Sequence, residues 1–119
     1  ENMEAPRPRI IAFDFDGVLA AKDNIKEPNV EVVKAMEALR TQGYKILIHS
    51  TRGDEFLRSY CEQFSIPVDY INRHMEHEGE NPGKPIAFVY VDDRAICYKG
   101  ESAETLVSEI LNFKTYWQK

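Results

Sequence analysis

Three short apolar runs constrain this chain more than any other feature: "RIIAFDF", "YKILIHS" and "IAFVYV", each stopping abruptly at polar residues. Unalternating apolar runs of about four to eight residues read as strands buried on both faces, the signature of a parallel sheet. Between the first two, "PNVEVVKAMEALRTQG" repeats apolar side chains at Val32, Ala35, Met36 and Leu39, with Pro28 near its start and Gly43 just past its end. That is the spacing and punctuation of an amphipathic helix. "GDEFLRSYCEQF" repeats the pattern at Leu57, Tyr60, Cys61 and Phe64, and "SAETLVSEIL" at Ala103, Leu106, Val107 and Ile110, which predicts two further helices. "IPVDYIN", Ile66 to Asn72, predicts a short edge strand, because Pro67 removes a ladder donor.

Strand and helix thus alternate, which predicts βαβ units and an open, mostly parallel α/β sheet with helices on both faces. At 119 residues there is room for one core and not for two. Residues 1–8 read as a polar lead-in and 9–119 as a single domain. The net charge of -5, with no Lys/Arg run, argues against a nucleic-acid footprint or a polybasic membrane surface. No apolar stretch approaches the roughly eighteen residues of a membrane span, and "ENMEAPRPR" lacks the apolar core of a signal peptide. Cys61 and Cys97 have no CxxC spacing and read as reduced thiols, which suits a cytoplasmic setting.

Open parallel sheets bind ligands beyond the carboxyl ends of their strands. Here those ends carry Asp14 and Asp16, Ser50 and Thr51, and Asp92 with Asp93. Two carboxylates about 4 Å apart repel by about 4 kcal/mol at an effective dielectric near 20, so such a cluster calls for a cation. Hard carboxylate oxygens are what Mg²⁺ prefers, with waters and a substrate phosphate completing its shell. Gly17 suits a turn that bends tightly or approaches a ligand closely.

These residues resemble the haloacid dehalogenase (HAD) superfamily of phosphatases. "DFDGVL" is similar to its first motif, "ILIHSTR" to its second and "FVYVDD" to its fourth, and Lys84 in "PGKPIAF" stands where the third-motif lysine would. The resemblance implies a Rossmann-like fold and a Mg²⁺-dependent phosphomonoester hydrolase. In that reading Asp14 is the nucleophile and forms an aspartyl phosphate. Asp16 is the general acid and base, and its backbone carbonyl helps to hold the metal. Asp92 ligates Mg²⁺ and Asp93 supports it, Ser50 hydrogen-bonds a phosphoryl oxygen, and Lys84 balances charge. Thr51 and Arg52 join Ser50 and Lys84 as candidate substrate contacts. Dehalogenases of this superfamily lack an aspartate two positions after the nucleophile, so Asp16 favours a phosphatase. Neither interval between motifs has room for a cap domain: Val18 to Pro28 supplies only a small flap. An uncovered site admits a bulky phosphorylated substrate, or is closed by another subunit of a homo-oligomer.

Other readings stand beside these. A noncatalytic Mg²⁺- or phosphate-binding module, or a receiver-like domain, would keep the acids without turnover, although a receiver's phosphorylated aspartate should end a middle strand, where Ser50 stands. Ser50 or Thr51 could merely cap the helix starting near Gly53. Lys84 could be a solvated loop lysine, Arg52 could simply pair with an acid, and His49 is most simply a packed core histidine. "NRHMEHEGENPG", with His74, Glu76, His77 and Glu78, suggests zinc, but it has no cysteine or regular scaffold and reads better as a polar loop at the crevice.

Overall fold

In the computed structural model, which describes residues 9–21, 24–73 and 87–118, the first apolar run forms β1 (Ile10–Asp14). It sits between β4 (Lys45–His49) and β6 (Val89–Val91), and β5 (Tyr70–Ile71) lies outside β4, in the order β5-β4-β1-β6. All three pairings are parallel. After β1 the chain makes a small antiparallel hairpin, β2 (Ala20–Ala21) with β3 (Asn24–Pro28), and then enters α1 (Val30–Thr41). Helix α2 (Asp54–Gln63) joins β4 to β5, and α3 (Ala103–Leu111) follows β6. This is an open α/β Rossmann-like sheet with no cap among the described residues, and the hairpin occupies the stretch expected to form a flap.

Side-chain alternation divides the core. Ile11, Phe13, Ile46 and Ile48 face one side, packed with Met36 of α1 and Leu57, Tyr60 and Cys61 of α2. Ile10, Ala12 and Leu47 face the other, against Tyr70 and Ala87. Right-handed crossovers that keep stepping the same way across a sheet put successive helices on one face, as α1 and α2 are here. Asn29 caps α1 by accepting the Glu31 N–H at 3.1 Å. Gly43, at φ +98°, ends the helix in a conformation that glycine adopts without strain.

Several elements differ from expectation. In α1 the packed stripe is Val32, Val33, Met36 and Leu39, whereas Ala35 is exposed. Val33 stands three residues before Met36 and shares its face, while Ala35, one residue before, is turned about 100° away. β5 is an edge strand as expected, but so is β6: pairing with β1 covers one side only, and Phe88, Val89 and Tyr90 stay 56%, 41% and 37% exposed. The third apolar run is therefore not the buried strand its composition suggested. Helix α3 forms but buries none of its residues, leaving Val107, Ile110 and Leu111 at the surface. Its periodicity marks an apolar face without saying what covers it. Among the described residues no helix is long and apolar enough to cross a membrane.

Candidate functional site

Parallel strands deliver their last residues to one edge of the sheet. Asp14, ending β1, stands in register with His49, ending β4. On the other side Phe13 pairs with Val91, so Asp92, one residue on, comes level with Asp14. Alternation along the strands turns all three side chains the same way. Asp14 and His49 each lie two residues beyond Ala12 and Leu47 of one face, and Asp92 follows Val91, which packs on the opposite face. One ligand atom from each of Asp14, His49 and Asp92 lies within 4.8 Å of the other two.

The crowding shows in the titration of Asp14. Burial pushes its carboxyl up to about 7; the Asp92 charge adds to this, as do a hydrogen bond and charge from Asp93, against the opposing pull of the Phe15 N–H. That N–H lies 2.9 Å from Asp14 Oδ1. Asp93 is anchored from the far end of the chain: Trp117 Nε1 donates to its Oδ2 at 2.6 Å. Its carboxylate also packs over Gly17, at φ +88°, where an added Cβ would collide with it. The Tyr116 hydroxyl donates to the Gly17 carbonyl at 2.6 Å, so residues 116–117 strap the turn that follows β1.

A second group forms beside the first. Arg52 grips Asp16, with Nε 3.2 and 3.0 Å from its two oxygens and Nη2 at 2.9 Å from Oδ1. The guanidinium also lies 5.5 and 5.1 Å from the Phe15 and Phe56 ring centres. Ser50 builds the turn that presents it, its Oγ accepting the Arg52 N–H at 3.0 Å. Asn72, at φ +66°, accepts the Ser50 N–H at 2.9 Å and donates to Asp54, tying the ends of β4 and β5 to the start of α2. The N-cap of α2 is Gly53, so neither Ser50 nor Thr51 caps that helix; Thr51 is exposed.

The structure therefore brings together Asp14, Asp92 and Asp93, and separately Asp16, Ser50 and Arg52. The Asp16 carboxylate is turned to Arg52 and is not one of the three clustered ligand residues. His49 is more than a core histidine, since it joins the acid cluster. Lys84 and the loop residues His74, Glu76, His77 and Glu78 lie outside the described residues. Sequence reasoning missed Tyr116 and Trp117; the one available signal was a pair of aromatics with polar tips in the otherwise polar "KTYWQK".

The donors suit a divalent cation. Asp14 and Asp92 offer hard oxygens within 4.8 Å of each other, and Asp93 brings a third carboxylate against Asp14, a crowding of negative charge that a cation relieves. Asp14, Asp92 and Asp93 would hold it.

No family model matches the chain, and no curated protein matches it. Among solved structures it is similar to a conserved protein from Bacteroides thetaiotaomicron, with a TM-score of 0.62 and 23% identity over 88% of this chain and 90% of that one. At that identity the likeness shows the fold alone.

Proposed function

We propose that this protein is a cytoplasmic, Mg²⁺-dependent phosphomonoester hydrolase of the HAD type, acting through an aspartyl phosphate on Asp14. The observation that carries the reading is the placement of Asp14 at the end of a central strand, facing Asp92 and Asp93, with Asp16 and Arg52 two and thirty-eight residues further on at the same edge. When bound, the cation supplies charge neutralisation for the phosphoryl oxygens and keeps Asp14 ionised. An Asp14 oxygen attacks phosphorus, and the bond from phosphorus to the ester oxygen breaks. Asp16 gives that oxygen its proton. Water then attacks the phosphoryl group, Asp16 takes its proton, and the bond to Asp14 breaks, releasing phosphate. Splitting one hard displacement into two is what a carboxylate nucleophile offers, and the remainder is positioning and charge. Arg52 and the Ser50 hydroxyl orient the phosphoryl oxygens, and Thr51 and Lys84 are the further candidate substrate contacts that the motif resemblance implies.

One observation favours the noncatalytic alternative. A proton-transferring Asp16 must be free to be protonated, yet Arg52 holds its carboxylate by both oxygens. The hydrolase reading requires Arg52 to exchange that carboxylate for the incoming phosphate, which a guanidinium fork is shaped to bind. The deciding experiment is rapid acid quenching with an aryl phosphate and Mg²⁺, followed by peptide mass analysis. One added phosphoryl group on the peptide containing "AFDFDG", with phosphate release that stops on metal removal, is the expected result. Binding of phosphate without release would identify a binding module, and label on Ser50 or a histidine would overturn the chemistry.

A further inference from the structure

His49 has no part in that chemistry, yet it stands in register with Asp14, and its ring shares the crevice with Asp14 and Asp92. We infer that Asp14, His49 and Asp92 form a mixed nitrogen and oxygen site selective for a first-row transition cation over Mg²⁺. The inference deepens the reading above and rests on it for the cation, but its test needs no substrate.

The geometry is close to what such an ion needs. Three ligands around one cation, each bonded at about 2.1 Å, stand about 3.0–3.6 Å from one another. The three ligand atoms here lie within 4.8 Å of one another, so closure asks each to move by no more than about an ångström. The strands hold the set in place: β1 and β4 pair through five residues up to Asp14 and His49, and the Phe15 N–H fixes one Asp14 oxygen. His49 is half-buried with a ring nitrogen within 4.8 Å of an oxygen of both carboxylates, which favours cation binding over a purely packing role. The donor set then chooses the metal. Mg²⁺ takes oxygen ligands and keeps its waters, gaining little from an imidazole, whereas affinity for Co²⁺ and Zn²⁺ rises when a nitrogen donor is added. The same crevice would hold Mg²⁺ through carboxylates alone and a transition ion through carboxylates and His49.

The test uses chelator-treated full chain. Pulsed electron paramagnetic resonance of the Cu²⁺-loaded protein should show imidazole nitrogen modulation. The chain has three histidines, so the modulation should persist in the His74→Gln, His77→Gln double variant and vanish in His49→Gln. Calorimetric titration should show Co²⁺ affinity reduced at least ~10-fold in His49→Gln, with Mg²⁺ affinity within about twofold of wild type. Absence of modulation in the double variant overturns the inference, and that spectrum decides even if His49→Gln fails to fold. Equal loss of both cations in a folded His49→Gln also overturns it, because His49 would then be only a support. Nitrogen modulation without phosphate release under any metal would sink the hydrolase reading and leave this one standing; label on Asp14 without modulation would do the reverse.

Discussion

Asp14 carries the largest electrostatic penalty in the site, and its sign fixes how stability follows pH. Its folded pKa of about 7 lies above the ordinary 3.8, so between those values the folded chain keeps a proton that the unfolded chain has lost. Raising the pH through that window therefore favours unfolding, and the stabilising effect of protonation is complete only below the unfolded value. Asp14→Asn keeps the shape and removes the titration. In chelator, the variant's melting temperature is expected to exceed that of wild type by a margin that grows from pH 5 to pH 8, as read by circular dichroism. A margin constant with pH would show that Asp14 does not titrate as described. Gly17 is constrained from two sides, by its positive φ and by the Asp93 carboxylate lying where a Cβ would go. Gly17→Ala should cost about 1–3 kcal/mol by combining backbone strain with a displaced carboxylate. It should also change the fluorescence of the single tryptophan, Trp117, because its indole bonds to that carboxylate.

At the scale of elements, burial separates helices that look alike in sequence. Leu57 of α2 is fully buried against the sheet, so Leu57→Ala should destabilise by about 2–5 kcal/mol in chemical denaturation. Val107 of α3 is 54% exposed, so Val107→Ala should change stability by no more than about 0.5 kcal/mol. Equal costs would mean that α3 is covered in solution. The hydrophobic spacing of both helices was legible because a period of 3.6 is a local property. Burial was not legible, since it depends on what the chain lays against the face. The same distinction explains β6: its composition resembles that of β1, but β1 has a strand on each side and β6 has one.

For the molecule as a whole, the two thiols report on the core from opposite sides. Cys61 lies buried against the sheet and burial pushes its thiol up to about 11, whereas Cys97 is exposed; both are free. An alkylating reagent at pH 8 should modify Cys97 at once in the native protein and Cys61 only as fast as the core opens, as followed by mass spectrometry. Comparable rates for both would be incompatible with this packing. Among the described residues, the four strands of the main sheet, the three helices and the convergence of Asp14, Asp92 and Asp93 could be read from the sequence, because apolar periodicity is local and parallel strands share one carboxyl edge. Which of His49 and Ser50 would turn toward those acids could not, since neighbouring strand residues face opposite ways and a one-residue slip exchanges them. Nor could the Arg52 grip on Asp16, or the hold of Tyr116 and Trp117 on Gly17 and Asp93, which join residues 36, 99 and 24 positions apart. Such contacts exist only once the path of the chain has set the side chains face to face, and that path was decided by the tertiary structure.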